Sequence, residues 1–137
     1  FKQALETELQ NLLSWWSTHT LDQQLGGFYG QINNANQATN SPKGLVLNAR
    51  ILYTFSSAYL LRNNNEELEI AHRAYHYLLD FFADQKEGGF FWSLTPQGQT
   101  LDQKKQVYGN DDSHIHHFYG SVFYRSVCGA QISKRNY

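Results

Sequence analysis

Two stretches of the chain repeat one another. DQQLGGFYGQI (residues 22–32) and DQKEGGFFWSL (84–94) share D-Q-x-x-G-G-F-aromatic-x-x-aliphatic, and their first aspartates stand 62 residues apart. A Gly-Gly pair ends regular structure and opens a tight turn or a short hairpin. Each copy follows a segment of helical character with an aromatic end, WWSTHTL or YLLDFFA. The spacing between copies accommodates two helices with their connections. The repeating unit is therefore helix, GGF turn, helix, short loop. Helical hairpins bury little alone and need neighbours to complete a core. The pattern predicts an all-α chain made of the first helical hairpins of a larger array, with the GGF segments as short β-turn or hairpin loops.

The individual helices follow from periodicity. Residues 1 to about 18 place Leu5, Leu9, Leu12 and Trp16 at i, i+4, i+7 and i+11, with Leu13 widening the apolar stripe. The polar stretch NNANQATNSP (33–42) reads as a loop, and Pro42 suits the entry to the next helix. KGLVLNARILYTFSSAYLL (43–61) is apolar on nearly all sides, the mark of a helix with neighbours around it. NNNEE (63–67) is a turn with an Asn cap. A third helix runs to about Phe82, with Leu68, Ala71, Tyr75, Leu78, Leu79 and Phe82 on one face.

Charge and composition remove several classes of function. The 137 residues carry a formal net charge of −1 without a basic or acidic block, which argues against a phosphate-tracking surface and a nucleic-acid partner. No apolar run reaches the length of a membrane span. Cys128 is alone, so there is no disulfide framework and no CxxC metal pattern, and a lone thiol fits a cytoplasmic protein. Aromatic residues reach 15%, beside abundant Asn and Gln. Rings that stack on C–H faces, together with amides that bond hydroxyls, suit a carbohydrate ligand; the same rings also suit a helical core.

A few residues stand out chemically. Arg50 lies within the most apolar helix, beside Asn48. A buried guanidinium is costly unless paired, so it either snorkels to the surface or aims a donor fork at a polar cavity. Trp92 follows the second GGF turn and is the best candidate for a sugar platform, with core packing as the plainer role. His72 and His76 sit at i, i+4, a spacing that can chelate a metal, but Arg73 stands where the zinc-protease motif has Glu. Two surface histidines are the simpler reading. Near the end, DDSHIHHFYG (111–120) gathers Asp111, Asp112, His114, His116 and His117 without flanking structure, which is weak ground for a metal site. The expected metal set is none.

Taken together, GGFYG (26–30), KGLVLNARILYTFSSAY (43–59), GGFFWSL (88–94) and KKQVY (104–108) resemble the N-terminal part of the N-acylglucosamine 2-epimerase superfamily, and within it the cellobiose 2-epimerase branch. The blocks occur in the family's order from near residue 1 to Tyr108. The resemblance implies an (α/α)6 barrel, of which residues 1–108 supply the first helices. It implies an isomerase of carbohydrate metabolism, active on a small disaccharide, with neither metal nor nucleotide cofactor. Its chemistry opens the sugar ring, removes the C2 proton to give an enediol, and returns a proton to the other face, with two histidines as general base and acid. None of the six histidines here falls on those two positions, so no catalytic residue is expected in this chain. By the same resemblance Arg50 contacts substrate near its reacting end, Tyr108 is a second substrate contact, and Trp92 stands near the cleft.

After Tyr108 the family pattern continues roughly as A-Q-A-F in a further helix, whereas here Gly109, Gly120 and Gly129 interrupt any periodicity. A coding explanation is available. ATTCACCAT reads Ile-His-His, as at residues 115–117, and one base along TTCACCATT reads Phe-Thr-Ile, which suits the family. The expectation is that residues 109–137 are a frameshifted or divergent tail, which the nucleotide sequence tests by translation in neighbouring frames. Competing readings are a non-catalytic sugar-binding helical module and another (α/α)6 carbohydrate-active enzyme. The oligomeric state is left open.

Overall fold

A computed structural model describes residues 1–105. The order is α1 (Lys2–His19), β1 (Lys43–Gly44), α2 (Leu45–Arg62), α3 (Asn65–Tyr77) continued by a π-helical turn (Leu78–Phe82), β2 (Ser93–Leu94) and β3 (Thr100–Asp102). Helices α2 and α3 form the tightest pair, an antiparallel hairpin. Two successive asparagines make its corner. Asn63 adopts the left-handed conformation, φ 56°, and returns its N–H to the Tyr59 carbonyl. Asn64 then caps α3 by accepting the Glu66 N–H through its side chain.

The core lies between these helices. Leu45, Ile51, Leu52, Phe55, Ala58 and Tyr59 of α2 meet Leu68, Ile70, Ala71, Ala74 and Tyr77 of α3. The buried face of α3 runs through Ile70, Ala74 and Tyr77, so Tyr75 and Leu79, expected at its centre, sit half-buried at its edge. The π-helical turn closes with the Ala83 N–H on the Leu78 carbonyl and leaves Phe82 fully buried and Phe81 exposed.

Helix α1 packs more lightly. Of its expected stripe, Leu13 is buried and Leu9 and Trp16 lean on the core, while Leu5 and Leu12 are exposed. No described helix covers that outer part. The polar loop returns to α1 where the Trp15 indole N–H donates to Asn36 Oδ1.

A small antiparallel sheet, β1-β2-β3, departs from the all-α expectation. Lys43 pairs with Leu94 and Gly44 with Ser93, and Ser93 in turn pairs with Asp102. Strands of two or three residues are too short for alternation to mark them in sequence. The strand β1 also displaces the helix start from Pro42 to Leu45. The sheet gathers at the end of the hairpin where α2 begins, so that end carries both the strands and the GGF loops.

Candidate functional site

The two GGF loops are built alike. In the first, the Asp22 N–H donates to the Gly27 carbonyl and the Gly26 N–H donates back to the Asp22 carbonyl. In the second, Asp84 pairs with Gly89 and Gly88 in the same way. Asp22 Oδ1 accepts from the Gln24 and Leu25 N–H groups, and Asp84 Oδ1 from those of Lys86 and Glu87. All four glycines of the pairs have positive φ. At Gly27 a Cβ would also lie 2.7 Å from the Tyr77 ring, so only glycine fits.

Each loop is closed by a lysine. Lys43 Nζ donates to Asp22 Oδ2 at 3.0 Å and to the Gly26 carbonyl at 2.7 Å. Lys105 Nζ donates to Asp84 Oδ2 at 2.8 Å and to the Gly88 carbonyl at 2.5 Å. The lysines are themselves 62 residues apart, so the repeat extends beyond the segments that revealed it. That coincidence of spacing is the signal the sequence offered and the motif comparison passed over.

The copies differ in burial. The Asp22–Lys43 side chains are 3% and 1% exposed, those of Asp84–Lys105 12% and 32%. Burial works to raise the Asp22 carboxyl, but hydrogen bonds from Leu25 and Lys43, with the lysine's charge, outweigh it and hold the pKa below the ordinary value. The hydrogen bond from Lys105, with backbone N–H groups, lowers Asp84 to about 2. Tyr77, beneath Lys43, is pushed up to about 12 by burial and by the charge of Asp22. Arg73 of α3 clasps the first loop from the other side, through Nε to the Gly27 carbonyl at 2.9 Å and Nη2 to the Asp22 carbonyl at 2.6 Å.

Arg50 sits on the second turn of α2 and is exposed, so of the two roles open to it burial is excluded. It borders an open cleft of about 250 Å³ together with Trp16, Leu47, Ile51, Thr54 and Phe55. Among the described residues its guanidinium has no hydrogen-bond or ion-pair partner. A free donor fork against an aromatic and aliphatic wall can bond hydroxyls or a carbonyl oxygen while the wall takes an apolar face. Asn48, its neighbour in sequence, points elsewhere: it is buried and donates from Nδ2 to the Gly44 carbonyl at 2.8 Å.

Trp92 is half-buried and does not line that cleft. Its backbone holds the site instead, since its carbonyl accepts the Leu45 N–H, at the first residue of α2, at 3.0 Å. Tyr108 lies outside the described residues, as do the segment DDSHIHHFYG and the whole of 109–137. His72 and His76 lie side by side on α3 with ring centroids 6.2 Å apart. Among the described residues no three His, Cys, Asp or Glu side chains come together as a metal-holding group, and no helix is long and apolar enough to cross a membrane.

Comparison with known proteins places this arrangement. The family model for N-acylglucosamine 2-epimerase (GlcNAc 2-epimerase) matches residues 27–111. A cellobiose 2-epimerase of Bacteroides fragilis is 45% identical over 109 residues, covering 78% of this chain and 28% of that protein. One from Dictyoglomus turgidum is 33% identical over 110 residues, covering 79% and 28%. Among solved structures, the cellobiose 2-epimerase from Spirochaeta thermophila superposes with a TM-score of 0.78 at 36% identity, over 93% of this chain and 32% of that one. The chain thus spans little more than a quarter of the curated relatives it matches, 28% in both cases. Its helices correspond to part of an (α/α)6 barrel. Loops, lysine-closed turns and helical hairpin therefore have one common frame, and the chain belongs to the N-acylglucosamine 2-epimerase family.

Proposed function

We propose that the chain is the N-terminal part of a cytoplasmic sugar 2-epimerase that interconverts glucose and mannose at the reducing end of β-1,4-linked disaccharides. The observation that carries this reading is Arg50. It offers an unpaired guanidinium at an open cleft, in a chain 45% identical to a cellobiose 2-epimerase over the matched residues. In the proposed reaction the C2 proton leaves, an enediol forms, and a proton returns to the opposite face. An oxyanion develops along the way, and a fixed cation beside it lowers the barrier. Arg50 supplies that cation or holds the neighbouring oxygen, with Tyr108 as a second contact. Trp92 acts through its carbonyl on α2, and its ring serves as a wall near the cleft.

The groups that carry the proton are not assigned to this chain, so it is expected to be inactive alone. The substrate is a small sugar, with neither nucleic acid nor membrane as a partner, and the proposed chemistry calls on no metal or nucleotide.

The test is an assay on cellobiose of the longer protein encoded by the gene, read in a frame continuous past residue 108, beside the 137-residue chain. Mannose-ended product from the longer protein, about a hundredfold less after Arg50→Ala, is the expected result. Turnover by the short chain would overturn the fragment reading, and absence of product from the longer protein would overturn the assigned reaction. Cellobiose binding by the short chain, lost on Arg50→Ala, would point instead to a non-catalytic sugar-binding module.

A further inference from the structure

We propose that Lys43, with Asp22 as its partner, is a positioning residue for the Arg50 cleft, a role that rests on Arg50 being the substrate contact of the reaction above. The cleft has two walls on different helices. Trp16 belongs to α1, while Leu47, Arg50, Ile51, Thr54 and Phe55 belong to α2. Helix α1 leans on the core through few side chains, so packing alone sets the spacing of the walls loosely.

The Asp22–Lys43 pair ties them. Asp22 stands three residues past the end of α1, and Lys43 stands two residues before the start of α2. Only Gly44, in extended conformation, separates the lysine from the first helical residue. The tie is buried and has two hydrogen bonds, to Asp22 Oδ2 and to the Gly26 carbonyl, both within 3.0 Å. On the other side, pairing of Lys43 with Leu94 and the bond from the Leu45 N–H to the Trp92 carbonyl fix the same end of α2.

Arg50 follows five residues after Leu45, about 7.5 Å along the helix axis at 1.5 Å per residue. Over so short a lever, a shift at Lys43 reaches the guanidinium with little attenuation. Displacements near 1 Å in a reacting geometry cost on the order of a hundredfold in rate. Lys43 thus controls activity without touching substrate, through the placement of Arg50 against Trp16.

The experiment is a cycle in the longer protein assayed on cellobiose. Lys43→Met alone leaves Asp22 buried and unpaired and can fail to fold, so the informative variant is Asp22→Asn/Lys43→Met. It removes both charges together, and a buried pair removed whole leaves stability nearly intact. The expected result is a fall in kcat/KM of roughly thirtyfold with the melting temperature within a few degrees of wild type. In the Arg50→Ala background the same pair of changes should lower kcat/KM by less than about threefold, because the residue it positions is gone. An undiminished loss in that background, or a double variant as active as wild type, overturns the positioning role. Wild-type protein without turnover overturns the reaction and this role together, and activity unaffected by Arg50→Ala removes Arg50 and its support in one step.

Discussion

Lys43→Met and Lys105→Met delete the same two hydrogen bonds from two copies of one loop, and the copies differ mainly in access to water. At Lys105 the ammonium is 32% exposed, so water replaces what the substitution removes and the pair contributes little. At Lys43 the partners are 1% and 3% exposed, and removal of the lysine strands the Asp22 carboxylate in the interior. Breaking one side of a buried pair costs about 3–5 kcal/mol. The lower end, about 3 kcal/mol, applies here because Asp22 keeps the N–H groups of Gln24 and Leu25. For a domain near 100 residues each kcal/mol moves the melting temperature by about 4–8 °C. Lys43→Met should therefore lower it by at least about 12 °C, and Lys105→Met by less than about 5 °C. Asp22→Asn/Lys43→Met should recover most of the larger loss. Thermal unfolding followed by fluorescence of Trp15, Trp16 and Trp92 reads all three. Equal losses at the two lysines, or a double variant no better than Lys43→Met, would refute the account based on stranded charge.

Gly30→Ala should destabilise by about 2 kcal/mol or more, since its Cβ would lie 1.9 Å from the Pro42 carbonyl oxygen, a backbone atom with no rotamer to change; an unchanged urea midpoint would contradict the close approach. Tyr77→Phe should be neutral or stabilising, because the buried phenol has no hydrogen-bond partner among the described residues, and it should remove the tyrosine that ionises near 12 in an ultraviolet titration. Asp84, with its folded pKa depressed to about 2, stabilises the fold above its ordinary 3.8 and loses that contribution as pH falls through the interval. Asp84→Asn should therefore flatten part of the acid unfolding curve between about pH 4 and 2, and a curve parallel to wild type throughout would sink the assignment.

The helices were legible because their signals are local or periodic. The Asn63–Asn64 corner and the two GGF turns are fixed by residues whose backbone preferences stand in the sequence itself. The sheet was not legible, since Lys43–Gly44, Ser93–Leu94 and Thr100–Asp102 are strands only by virtue of partners distant in sequence. Arg50 was visible as an anomaly, but whether it was buried depended on which face of α2 its neighbours cover. Periodicity could not decide that in a helix apolar nearly all round. Leu5 and Leu12 mark the same limit from the other side, with an apolar stripe drawn correctly and left uncovered by the described helices. The lysine closures needed only the spacing of the repeat carried 21 residues past each aspartate.

The clasp of Arg73 on the first GGF loop has a consequence for the order of events during synthesis. The carbonyls of Asp22 and Gly27 receive their donors from a residue 51 and 46 positions later. At about 5–20 residues per second, a ribosome that has released Asp22 needs several seconds to deliver Arg73. Through that interval α1 and its turn exist with two carbonyls still unpaired by their eventual donors. The second hairpin is the tool that finishes the first, so the chain's opening turn takes its final form only after the helix α3 has been made.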